Sequence, residues 1–172
     1  MTDWPKLKKI LIKKEERNMN ALKIQQDVLK AFAKGDTVRY SEDFTGEKVF
    51  ISIDGVTGYF FNDDELRVKL HGAQAVMDID LSNLVRPDYK LTGTDEYRRQ
   101  GTARKFIYQD ELTGEIEDEI VYIDTGKVKY FNEPSFYKQP GDDHPLIAVT
   151  EDKYGDGKAI IVGCVAPVKI KD

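Results

Sequence analysis

Between Asn20 and Lys34 the apolar residues Leu22, Val28, Leu29 and Phe32 recur close to a 3.6-residue period, which predicts an amphipathic helix. Asn20 can cap its first turn, and Gly35 stands where a left-handed residue ends a helix. Beyond Gly35 the pattern changes. β-Branched and aromatic residues gather in short runs divided by glycine-containing turns: Thr37–Tyr40, Val49–Ile53, Gly58–Phe61, Ala75–Ile79, Arg104–Tyr108, Ile120–Ile123, Leu146–Val149 and Ala159–Val165. These runs predict strands. Asp54-Gly55 and Asp156-Gly157 supply the positive φ that tight hairpins need, so neighbouring runs are expected to pair antiparallel. A second, shorter helix is expected over Thr94–Gln100, with Thr94 as its cap and Tyr97 facing inward. Arg86-Pro87 and Gln139–Asp143 read as exposed connections. Helices and strands do not alternate, so the pattern predicts an α+β fold, mainly antiparallel with few helices.

The pattern also repeats itself. Tyr40, Thr45, Gly46 and Glu47 recur as Tyr108, Thr113, Gly114 and Glu115 at an offset of 68, with an acidic pair retained between them. After a two-residue insertion Ile53, Asp54, Phe61 and Asn62 recur as Ile123, Asp124, Phe131 and Asn132 at an offset of 70. Each half then reads as a strand leading to a Thr-Gly-Glu turn, a strand ending at Ile-Asp, and a strand ending at Phe-Asn. With the helix expected before each, the chain forms two α-β-β-β units, about 20–87 and 88–172, related by a pseudo-two-fold axis within one domain spanning 19–172. The alternative is two hairpins that share only their turn chemistry.

Residues 1–18 differ from this body. Six basic residues against three acidic give them +3 and leave −8 on residues 19–172, for −5 overall. Lys14-Glu15-Glu16-Arg17-Asn18 can be encoded by a purine-rich run containing AGGAGG, the form of a bacterial ribosome-binding site, directly ahead of Met19. One reading is therefore that Met19 is the natural start. The other is an amphipathic N-terminal extension, with Leu7, Ile10 and Leu11 on one face, that packs on the body or on a partner.

Composition narrows the classes. A charged fraction of 33% with an acidic balance gives no electrostatic signature of nucleic acid or anionic lipid. The longest apolar run, Ala159–Ala166, is far below the roughly 20 residues needed to cross a bilayer, and the N-terminus has no signal-peptide core. The expected location is cytoplasmic, with no membrane partner. A single cysteine, Cys164, excludes an internal disulfide, and two histidines, His71 and His144, do not make an ordinary zinc site with it. Cys164 lies in the most apolar run, where burial makes a thiol inert.

The repeated α-β-β-β plan resembles the domain plan of DNA sliding clamps, in which paired units build each domain and six domains close a ring. The C-terminal run Lys158–Val168, following the strand at Pro145–Val149, is similar to the tail of small uncharacterised proteins of phages and mobile elements of Gram-positive bacteria. The resemblance implies a binding role near DNA, with homo-oligomers in view. Lys23, Lys30 and Lys34 on the first helix and Arg98, Arg99 and Arg104 in the second half would then meet phosphates. Their alternative is a solvated, charged surface. Tyr59 and Asn62, with Lys129 and Asn132 at the matching places of the second half, are expected to mark a binding site where the halves meet.

No nucleotide-binding loop, dinucleotide fingerprint, nucleophile elbow or paired Cys-x-x-Cys occurs. Asp152–Gly157 fails as a calcium loop because Tyr154 holds the third position and Gly163 the twelfth. Together these features predict a non-enzymatic binding module with no cofactor, a protein as its partner, and DNA as a further candidate. Two alternatives stay open: an acidic inhibitor that imitates nucleic acid, and a metal-dependent enzyme using Asp142, Asp143 and His144.

Overall fold

The structure is a computed structural model, and it describes residues 19–42, 48–62, 65–76, 80–108, 120–141 and 146–170. The turn sequences at 45–47 and 113–115, the acidic residues Glu117, Asp118 and Glu119, residues 77–79 of the fourth expected strand, and the Asp142-Asp143-His144 segment lie outside them. So do residues 1–18.

The expected helix is α1, Ala21–Lys34. The Asn20 side chain accepts the Lys23 amide at 3.1 Å, and Gly35 at φ +75° turns its own N–H back onto the last turn. Its inward face is Ile24, Gln25, Val28 and Ala31, while Leu22 and Leu29, expected on the apolar face, point to solvent at 70% and 56% exposure. Met19 and Ile24 are both buried and flank the cap as a hydrophobic staple.

Ten strands follow: β1 Arg39–Glu42, β2 Lys48–Ser52, β3 Thr57–Asn62, β4 Gln74–Ala75, β5 Lys90–Arg98, β6 Ala103–Tyr108, β7 Ile120–Asp124, β8 Ser135–Tyr137, β9 Ile147–Glu151 and β10 Ile160–Val165. They form one sheet in the order β4-β1-β2-β3-β10-β9-β8-β5-β6-β7, antiparallel throughout except for β1 beside β4. The fold is α+β, as expected. At Asp54-Gly55 the aspartate carboxylate accepts the amides of Val56 and Thr57 at 2.9 and 2.8 Å, which closes the β2–β3 hairpin.

The helix expected at Thr94–Gln100 is instead the end of a nine-residue strand, closed by a turn in which Arg99 and Gln100 have positive φ. The Thr94 hydroxyl, read as a cap, donates across the ladder to the Lys105 carbonyl at 2.9 Å, and Tyr97 pairs with Arg104 and is 48% exposed. Thr-rich sequence serves either structure, and the neighbouring strand β6 decides. Nor is Phe131-Asn132 the end of a strand: the segment 125–134 is a string of tight turns, and the next strand is β8.

Among the described residues the second unit therefore has no α-helix. β4-β1-β2-β3 and β8-β5-β6-β7 share a strand order, but β4 lies parallel to β1 whereas β8 lies antiparallel to β5, so they are not one arrangement repeated. The sequence match sets β1 and β2 on β6 and β7, one strand out of step with that order.

Period-two alternation sorts the core. One face of the sheet carries Val49 and Ile51 of β2, Tyr59 and Phe61 of β3, Val165 of β10, Ile147 and Val149 of β9, Phe136 of β8, Leu91 of β5, Phe106 and Tyr108 of β6, and Val121 and Ile123 of β7. Ile24, Val28 and Ala31 of α1 join this cluster. The opposite face carries Phe50, Ala148, Cys164 and Tyr137, covered by Leu81 and Leu84. Gly163 makes room for the 125–134 segment, because a Cβ there would stand 2.7 Å from the Phe131 ring and 2.3 Å from the Gly58 carbonyl oxygen.

Candidate binding pocket on the uncovered half of the sheet

Over the core face of β5–β8 lies a cavity of about 530 Å³. Leu91, Phe106, Ile123 and Phe136 form its apolar floor, and Val128 and Pro134 of the 125–134 segment form a wall. No α1 residue lines it. Its volume falls in the range that holds one drug-sized ligand or a few side chains of a partner.

Arg104 stands in this apolar lining. Arg104, Phe106 and Tyr108 alternate along β6, so the arginine shares the core face with two aromatic residues. Gly93 lies opposite Phe106 and gives the guanidinium its space: a Cβ on Gly93 would be 2.7 Å from it. The Arg104 Nε donates to the Thr94 carbonyl at 2.9 Å, and the guanidinium carbon sits 5.4 Å from the centre of the Phe106 ring. Among the described residues, no carboxylate comes within 4.0 Å of Arg104. Lys90, exposed, adds a second positive charge to the lining. A guanidinium on an apolar floor suits a carboxylate joined to an apolar group, because the fork binds the acid bidentately while the rest of the ligand leaves water.

The residues expected to bind scatter. Lys23, Lys30 and Lys34 are exposed on α1, and Arg98 and Arg99 are exposed at the end of β5, where Arg99 donates to the Lys169 carbonyl at 2.8 Å. Arg104 departs from them into the pocket. Tyr59 is a core residue at 6% exposure, its ring 5.1 Å from Phe131 and 6.5 Å from Tyr130, and burial pushes its phenol up. The junction of the halves is thus real as a contact but closed at Tyr59, while Lys129 is exposed over the Tyr130 ring at 5.1 Å.

Asn62 and Asn132 each bear on a carboxylate. The Asn62 backbone N–H donates to Glu65 at 3.2 Å and the Asn132 backbone N–H to Glu151 at 2.5 Å. Glu151 was not singled out by sequence, since it ends the strand run Ile147–Glu151 where a charge is expected outward, yet it is 2% exposed. Its second oxygen accepts the Met19 amide at 3.0 Å. Burial raises its pKa above the ordinary carboxylate value, opposed by these two amides and by the Lys153 charge, and assisted by Glu65. Lys153 itself pairs with Glu65 at 3.1 Å. Cys164 is 3% exposed and burial pushes its thiol up to about 12, the inert state its sequence context implies.

Among the described residues, no three His, Cys, Asp or Glu side chains gather as a metal site, and no helix is long and apolar enough to cross a membrane. No protein family, curated protein or solved structure matches the chain.

Proposed function

We propose that the protein is a non-enzymatic binding module whose site is the pocket over β5–β8, and that its occupant is a segment of a partner protein presenting an apolar side chain beside a carboxylate. The observation that carries this reading is Arg104, a cation fixed in an apolar pocket without a carboxylate partner among the described residues. An acid supplied by the occupant would make a charge-assisted pair worth about 1.5–3 kcal/mol, which the exposed lysines of α1 could not match in open solvent. The placement of this partner in a DNA-processing complex of a phage or mobile element, and the pseudo-two-fold, clamp-like relation of the two halves, are part of the proposal. They rest on the resemblance of the sequence; the strand order repeats in one direction along the sheet, where a two-fold axis would reverse it, and lends the second no support.

Peptides selected on the immobilised protein from a random display library test it. The selected sequences are expected to carry an acid within two positions of an aromatic or aliphatic residue. They should also lose roughly tenfold or more in affinity against Arg104→Gln, the equivalent of about 1.4 kcal/mol. Peptides without an acid, or with equal affinity for both proteins, would sink the reading.

A further inference from the structure

We infer that the protein begins at Met19 and that the α-ammonium of Met19 is the counter-ion of the buried Glu151. A reading of the sequence and an observation in the structure meet at this residue. In the sequence, Lys14–Asn18 can be written AAG GAG GAA AGA AAT, which places AGGAGG a short spacer ahead of the Met19 codon. In the structure, the Met19 nitrogen lies 3.0 Å from a Glu151 oxygen, at a site where the carboxylate is 2% exposed.

The surroundings of Glu151 explain why an ammonium fits better than an amide. Among the described residues no lysine or arginine comes within 4.0 Å of it. The charged groups around the adjoining cavity are Lys48, Glu65 and Lys153, and Lys153 is engaged by Glu65. A peptide amide at Met19 adds only a second neutral donor beside the Asn132 amide, so an ionised Glu151 is left buried with no closer opposite charge than Lys153, which Glu65 already engages. A free ammonium brings that charge and further donors to the same position. The position is fixed: the Met19 side chain is packed against the core at 6% exposure, and the Asn20 amide donates to the Tyr130 carbonyl at 2.8 Å. The helix cap at Asn20 follows immediately, so the first residues of the shorter chain are already in place.

The inference is tested at two levels. First, the natural gene, with its upstream sequence, is expressed in a bacterial host, and the product is weighed intact. A mass for residues 19–172 is expected, and synonymous changes in codons 14–17 that remove the purine run should abolish that product; a chain starting before Met19, or a product indifferent to those codons, overturns the start site.

Second, three purified chains are melted from pH 5 to 10: residues 19–172, residues 1–172, and residues 19–172 preceded by one extra methionine, which moves the ammonium off Glu151. A free α-amine ionises near about 7.7–8.0. Pairing raises that value in the folded state, so its stabilisation is complete below about 7.7 and is lost as pH rises through the folded value. The 19–172 chain is therefore expected to melt several degrees above the other two at pH 6, with the gap closing toward pH 10. Glu151→Gln should erase the gap at every pH. Equal melting of all three chains at pH 6, or a gap that persists in Glu151→Gln, overturns the ion pair.

Discussion

In the half of the sheet built from β4, β1, β2 and β3, α1 adds Ile24, Val28 and Ala31 to the core face, and its Gln25 is tied to the segment that follows β3 through the Glu65 carbonyl and the Arg67 amide. In the half built from β8, β5, β6 and β7 the strands run in the same order, but the same face ends in a cavity of about 530 Å³ that no helix residue lines. The difference lies in what precedes each meander. Asn20–Lys34 has a cap, a stop and an apolar stripe, whereas Thr94–Gln100 is drawn into the sheet by β6. One strand order thus carries helix residues on the core face of one half and an open cavity on that of the other.

The largest expected effect separates closed from open packing. Phe61 of β3 is fully buried, so Phe61→Ala should cost about 3–5 kcal/mol in urea unfolding. Phe106 of β6 borders space that already exists, so Phe106→Ala should cost distinctly less while abolishing binding at the pocket. Equal costs would show that the second half is as tightly filled as the first.

Two glycines sharpen the same contrast. At Gly163 an added methyl meets backbone, the Gly58 carbonyl oxygen at 2.3 Å, so Gly163→Ala should destabilise by about 1–3 kcal/mol or more. At Gly93 it meets only the guanidinium tip of Arg104, which can swing away. Gly93→Ala is expected to cost under about 1 kcal/mol and to act on ligand affinity instead, by moving the charge. Thermal melting beside peptide titration separates the two.

The side-chain cap of α1 acts within the helix, on the Lys23 amide. Asn20→Ala should remove about 1 kcal/mol, read by chemical denaturation, and should leave pocket affinity unchanged. The smallest effect is a titration across the seam between the halves. Burial opposes ionisation of Asp54, but the amides of Thr57 and Val56 and the Lys127 ammonium outweigh it, so the carboxyl is held below the ordinary range. Its contribution is present above the unfolded value and lost as pH falls through the folded one. The melting-temperature gap between the protein and Asp54→Asn should therefore narrow below about pH 4.

What the sequence made legible follows from the range of the forces involved. The α1 boundaries and the Asp54-Gly55 hairpin are set by side chains within a few residues, and both are where local signals put them. Strand runs rich in β-branched and aromatic residues were legible to within a few positions, as Val49–Ile53 against Lys48–Ser52 shows. Thr94 was misread because one hydroxyl serves a helix cap or a cross-strand bond, and the choice belongs to Lys105, eleven residues away. Glu151 and the pocket depend on longer range still. The Glu151 donors come from Met19 and Asn132, and the pocket floor comes from four strands. The alternation of Arg104 with Phe106 and Tyr108 was the one local sign of that site.

The position of β9 and β10 gives the fold an order in time. These strands come after the other eight in the chain, yet they lie between β3 and β8, so among the described residues their ladders join the two halves of the sheet. During synthesis, β1–β3 and β5–β8 emerge first, each with an unpaired edge facing the gap that the final hairpin fills. Until β9 and β10 are in place the two half-sheets each keep an unpaired inner edge, and that hairpin converts them into one sheet.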